Sequence, residues 1–169
     1  GARSGTGLHV DPVGTHAWVT LIEGAKRWVL FPPTVDKTAI GMQSPQIPSA
    51  IWFANGFYER ALAVADAAGL TVVHVVQMPG ETVYVPAGWP HIVLNLEPSV
   101  ALTENNATPY PDIARFWQAV DNESPELGHS LRSAVAKHRP ELLLEKCTIE
   151  TNAADSRYIE DEKKTSDGS

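Results

Sequence analysis

Pro79-Gly80-Glu81-Thr82-Val83-Tyr84-Val85-Pro86-Ala87-Gly88-Trp89-Pro90-His91-Ile92-Val93-Leu94-Asn95-Leu96 carries the clearest architectural signal in the chain. A turn at Met78-Pro79-Gly80-Glu81 precedes a short strand at Thr82-Val83-Tyr84-Val85. A corner bracketed by Pro86 and Pro90 breaks that strand, and a second one starts at His91. Short runs of β-branched and aromatic residues punctuated by Gly and Pro read as antiparallel β structure. Val100-Ala101-Leu102-Thr103 continues the pattern, and Thr71-Val72-Val73-His74-Val75-Val76 precedes it. From this alternation Trp28, Leu30, Val83, Val85, Val93 and Leu102 are expected to pack in or around a barrel.

Further upstream the same grammar holds from Leu8 to Pro33. Trp18-Val19-Thr20-Leu21-Ile22 reads as a strand, Glu23-Gly24-Ala25 as a turn, and Lys26-Arg27-Trp28-Val29-Leu30-Phe31 as the returning strand, stopped by Pro32-Pro33. Between Thr34 and Gly69 the pattern is less regular. Pro45 and Pro48 mark loop, Ile51-Trp52-Phe53 is a short apolar patch, and Tyr58 to Ala68 reads as a helix ended by Gly69.

Downstream of Pro109 the period becomes helical, with Ile113, Phe116, Trp117 and Val120 on one stripe. Ser124-Pro125 is a helix start, and Leu127, Leu131 and Val135 continue an apolar stripe. A last helical piece is expected over Pro140–Lys146. The expected organisation is a β-barrel core over 1–109, a C-terminal helical appendix over 110–148 and a disordered tail over 149–169.

The chain has 169 residues, 43% of them hydrophobic, which suits one domain with a real core. Thirteen prolines and twelve glycines suit a turn-rich β protein better than a helical bundle. A net charge of −7 without a basic patch argues against nucleic acid held by its phosphates, and it is compatible with a basic peptide. Cys147 is the single cysteine, so no internal disulfide forms. No apolar run approaches the roughly 20 residues of a membrane span. No signal peptide is read, and the start at Gly1 suggests a piece of a longer chain.

His9-Val10-Asp11 places two ligand-type side chains at i and i+2, which share one face on a strand. His91, at the head of another strand, supplies a third. Two imidazoles and a carboxylate on one side of an iron leave the opposite positions open, as non-haem iron oxygenases require. Alone, His-x-Asp is a common pattern, and a surface turn plus an unrelated histidine explains it equally well.

Three further features weigh on that choice. Lys26 has the parity of Trp28 and Leu30, so a strand face that mixes lysine with core residues needs a counterion. The distal carboxylate of 2-oxoglutarate would supply one; the alternative is an edge lysine reaching solvent. Thr103 can donate to the same carboxylate or be an ordinary strand threonine. The corner Pro86–Pro90 would hold His91 rigidly. His16, His74, His129 and His138 lack such context and are expected to be structural or surface residues.

These segments together resemble the Jumonji C (JmjC) domain. They include Gly5-Thr6-Gly7-Leu8-His9-Val10-Asp11-Pro12, Gly24-Ala25-Lys26-Arg27-Trp28-Val29-Leu30-Phe31-Pro32 and the stretch Pro79 to His91 with Val93-Leu94-Asn95-Leu96. The resemblance covers about residues 1–120 and is nearest to the bifunctional arginine demethylase and lysyl-hydroxylase subgroup. It implies a double-stranded β-helix, a cupin-like jelly roll. It implies His9, Asp11 and His91 as iron(II) ligands, and Lys26 and Thr103 as partners of 2-oxoglutarate, with Asn105 close to the site. It implies a dioxygenase using O2 to hydroxylate lysyl side chains or demethylate N-methyl arginine or lysine in a protein or peptide substrate. An intracellular setting, nucleus or cytoplasm, is the expectation.

The sequence departs from the pattern at Val19, eight residues beyond Asp11, where the subgroup commonly carries an asparagine that lines the cosubstrate pocket. The family's upstream strands, helices and a cosubstrate-binding tyrosine are also not among these residues. Two other readings therefore compete: a catalytically silent barrel serving as a binding module, and a cupin-type metalloenzyme that does not use 2-oxoglutarate. Lys26 and Thr103 argue against the latter.

Overall fold

Alternation along Lys26-Arg27-Trp28-Val29-Leu30-Phe31 sends Trp28 and Leu30 to one side of a strand and Val29 and Phe31 to the other, and all four are buried. A strand apolar on both faces must be covered on both faces. In the computed structural model, which describes residues 1–43, 45–108 and 113–143, each face of this strand meets its own layer.

The strands are β1 (Gly5–His9), β2 (His16–Glu23), β3 (Lys26–Leu30), β4 (Val73–Gln77), β5 (Thr82–Val85), β6 (His91–Asn95) and β7 (Val100–Asn106). They form a four-stranded sheet ordered β1-β6-β3-β4 and a three-stranded sheet ordered β5-β2-β7. Every pairing is antiparallel. Between the sheets lie Ala17, Trp28, Leu30, Val83, Val85 and Val93. On the outer face of the four-stranded sheet, Val29, Phe31 and Ile92 pack with Trp52, Ala61 and Ala65 of two helices, α1 (Ser49–Ala54) and α2 (Phe57–Ala67). The architecture is thus mainly antiparallel β with helices added.

Local signals account for most boundaries. Gly24 turns the chain between β2 and β3 at φ 90°, and a Cβ there would lie 2.2 Å from the Pro98 carbonyl oxygen, so only glycine fits. Ser124 caps α4 (Pro125–His138), accepting from the Leu127 N–H, with Pro125 in the first turn. α3 (Ile113–Glu123) buries Trp117 and Val120 of the expected stripe. It lies against the 3-10 turn Pro12–Gly14 that directly follows Asp11; a Cβ on Gly14 would sit 3.3 Å from that of Ala119.

Several expectations need correction. The apolar patch around Ile51-Trp52-Phe53 is helix α1, and Trp52 is fully buried. Leu102, expected to pack in the barrel, is 59% exposed. It alternates with Ala101 and Thr103, which face the inter-sheet pocket, and so points the other way. The strand read over Thr71–Val76 is paired over Val73–Gln77, and the last one runs on to Asn106. The terminal helical piece is a 3-10 turn over Pro140–Leu143. Residues 144–169, including the expected tail, and residues 109–112 lie outside the described residues. Among those described, no helix is long and apolar enough to cross a membrane.

Candidate metal centre and pocket

Antiparallel pairing of β1 with β6 makes His9 and His91 register partners, after a register shift between Thr6 and His9. Their ring centroids are 4.2 Å apart. β1 ends at His9, so Asp11 is not on the strand as expected from its spacing. The backbone stays extended through Asp11, at φ −58° and ψ 142°, before entering the 3-10 turn. The carboxylate therefore still reaches the same side, with Oδ1 3.9 Å from His9 Nε2. One ligand atom from each of His9, Asp11 and His91 lies within 4.8 Å of the others.

Two backbone carbonyls place the ring protons. His9 Nδ1 faces the Gly7 carbonyl at 2.8 Å, and His91 Nδ1 faces the Trp89 carbonyl at 3.0 Å. A carbonyl only accepts, so each Nδ1 carries a hydrogen and donates, and in the neutral ring the lone pair is then on Nε2. Burial holds the His91 imidazole below its ordinary pKa, with His9 adding to the effect; the Trp89 carbonyl and Asp11 oppose it. Neutral imidazole is the form that ligates. Asp11 Oδ2 is buried without a hydrogen-bond partner among the described residues. A carboxylate oxygen withdrawn from water and left unpaired is costly unless a cation meets it. These donors fit a divalent ion of the iron type, bound on one side only.

On the open side lies a cavity of about 290 Å³, lined by the three residues above and by Val19, Lys26, Thr103 and Asn105, among others. All six expected site residues thus border one space. Lys26 donates from Nζ to Oδ1 of its register partner Asn95 at 2.6 Å, and Asn95 Nδ2 donates to Ser4 Oγ at 2.9 Å. Desolvation lowers the Lys26 pKa. Val19 and Thr103 are register partners across β2 and β7, which puts them side by side on the pocket wall. Asn105 Nδ2 donates to Thr15 Oγ1 at 3.0 Å.

The remaining histidines lie apart from this centre. His16 is buried and its Nδ1 accepts from the Ala87 N–H at 3.1 Å, a structural role. His74, His129 and His138 are exposed. Sequence reasoning missed Asn95 and the fully buried Gln77. Asn95 was open to discovery as the polar residue interrupting an apolar strand, and Gln77 as the last residue before the Met78-Pro79-Gly80 turn.

A family model described as "JmjC domain, hydroxylase" matches residues 2–105. The chain is 33% identical over 147 residues to the bifunctional arginine demethylase and lysyl-hydroxylase psr-1 of Caenorhabditis elegans, covering 84% of this chain and 36% of that protein. It is 42% identical over 114 residues to lysine-specific demethylase JMJ21 of Arabidopsis thaliana, covering 61% and 11%. It is 27% identical over 147 residues to the 2-oxoglutarate and iron-dependent oxygenase JMJD4 of Mus musculus, covering 83% and 34%. The chain therefore spans little more than a third, or less, of each of these relatives.

Proposed function

This chain belongs to the JmjC-domain hydroxylase family, and we propose that it forms the iron(II) and 2-oxoglutarate site of an oxygenase acting on protein side chains. The observation that carries the proposal is the buried, unpartnered Asp11 Oδ2 beside two imidazoles whose Nε2 lone pairs are left free. In this reading the two sheets are the halves of a double-stranded β-helix over residues 1–109, and α3 and α4 belong to a helical appendix over 110–148.

His9, Asp11 and His91 would hold iron(II). Lys26 and Thr103 receive the distal carboxylate of 2-oxoglutarate, with Asn105 on the same wall. Bound iron, with 2-oxoglutarate and O2, supplies the oxidising power for substrate C–H hydroxylation and yields succinate and carbon dioxide. The protein's own tasks are to orient the cosubstrate and keep the cavity dry. Ala17, Val85 and Val93 line that cavity with apolar surface. No side chain serves as a nucleophile.

The substrate class follows from the relatives' names: a lysyl side chain that gains a hydroxyl, or an N-methyl arginine or lysine that loses its methyl group. A net charge of −7 suits a basic peptide. The nucleus or cytoplasm is the proposed compartment.

Val19 favours a second reading, a catalytically silent barrel acting as a binding module, because its side chain offers the cosubstrate no hydrogen bond. Mass spectrometry of lysine and methyl-arginine peptides, incubated with the chain, iron(II), ascorbate and 2-oxoglutarate, separates the two. The oxygenase reading expects a mass gain of one oxygen or loss of one methyl group, dependent on 2-oxoglutarate. Unmodified peptides that nonetheless bind the chain support the silent barrel.

A further inference from the structure

Gln77 is a polar side chain placed where a core residue belongs: it ends β4 and is fully buried. Burying an amide without partners is costly, and here both of its ends are used. Oε1 accepts from the indole Nε1–H of Trp28 at 2.9 Å. Nε2 donates to the carbonyl of Val19 at 2.8 Å and to that of Glu81 at 2.9 Å. The amide cannot be turned around, because the indole N–H only donates and the two carbonyls only accept. Gln77 therefore ties β3 and β4 of one sheet to β2 of the other and fixes one edge of the Trp28 indole.

Trp28 in turn covers His91. Their rings are stacked with centroids 6.2 Å apart and planes 27° apart. The Trp89 carbonyl holds the His91 imidazole at Nδ1, and the His9 ring lies on another side, with centroids 4.2 Å apart. A single hydrogen bond restrains rotation about the Cβ–Cγ bond but still lets the ring rock. The indole face opposes that rotation, and it can do so only while its own plane is held.

We infer that Gln77 is a positioning residue for His91, acting through the Trp28 indole to aim Nε2 at the metal. The inference rests on the metal-centre reading above and extends it to a residue that touches neither ion nor cosubstrate. Groups behind metal ligands commonly change metal affinity by about ten- to a hundred-fold when removed.

The test uses Gln77→Met, Trp28→Phe and the double variant, with two readouts. In metal-free protein, long-range 1H–15N spectra of the imidazoles should show wild-type His91 as one sharp Nδ1–H tautomer. Either single variant should broaden it or mix the tautomers. In Co(II) titrations, each single variant should raise Kd by about ten-fold or more and shift the Co(II) absorption envelope. Gln77→Met should add nothing further once Trp28 is Phe, since the route through the indole is already cut.

Unchanged His91 resonances in both single variants would overturn the inference. So would a full Gln77→Met effect on Kd in the Trp28→Phe background, which would mark a general stability effect. If Gln77→Met does not fold, Trp28→Phe decides alone, because it keeps an aromatic ring at that position but has no N–H for Gln77 to hold; unchanged spectra and Kd there refute the proposal. If wild type binds no Co(II), the metal reading fails, and the imidazole spectra still decide whether Gln77 positions His91.

Discussion

His9 and His91, far apart in the chain, are register partners across β1 and β6, and their rings lie 4.2 Å apart. Neither backbone position can shift without breaking the pairing of two strands, so the frame of the candidate metal site is as rigid as the sheet. His91→Ala should therefore lose most of its iron(II) under matched loading. Its apo fold should remain cooperative, since the β1–β6 ladder is made by the backbone. Metal analysis of both proteins after gel filtration checks this; stoichiometric iron in His91→Ala would remove the residue from the metal centre.

Lys26 faces a neutral amide, Asn95, rather than a carboxylate. Lys26→Met should leave metal binding intact and weaken 2-oxoglutarate binding by orders of magnitude, measured by calorimetry. The pH dependence has a definite sign. Desolvation lowers the Lys26 pKa, so the cation is lost at a lower pH than for an ordinary lysine. Cosubstrate affinity should fall as pH rises, starting below the pH at which an ordinary lysine loses its proton. For the apo fold the linkage has the opposite sign. A base with a depressed folded pKa destabilises the protein at neutral pH, and that cost is relieved as pH rises towards the unfolded value. Lys26→Met should therefore be no less stable than wild type without ligand.

Two apolar residues separate the buried layers from the open wall. Phe31 is fully buried between the four-stranded sheet and α1, and Phe31→Ala should cost about 3–5 kcal/mol. Leu102 is largely exposed, so Leu102→Ser should change stability by no more than about 0.5 kcal/mol. Urea denaturation of each variant measures both.

The turn between β2 and β3 admits only glycine. Gly24→Ala should cost about 1–3 kcal/mol, because the backbone sits at φ 90° and the new methyl meets the Pro98 carbonyl. A melting temperature equal to wild type would mean that this turn re-forms with another geometry.

Much of this was legible in the residues because period and punctuation are local properties. The strands around Trp28 and Val83, the Gly24 turn and the Ser124 cap follow from neighbours in the chain. The grouping of His9, Asp11 and His91 was legible because its carriers are short-range: an extended His9-Val10-Asp11 and a proline corner before His91. Leu102 was misjudged because an apolar residue in a strand does not say which of its two faces is covered; that depends on the layers packed against it. Gln77 and Asn95 were missed for a related reason. Their partners, Trp28, Val19 and Lys26, come from other strands, and only the register brings them together.

The most direct measurement is succinate formed from 2-oxoglutarate by the purified chain with iron(II) and O2, for wild type beside His91→Ala and Lys26→Met. An oxygenase site built on these residues predicts iron-dependent succinate from wild type, background levels from His91→Ala, and production from Lys26→Met only at greatly raised 2-oxoglutarate. Wild type that binds iron yet forms no succinate, or His91→Ala that forms as much as wild type, would contradict it.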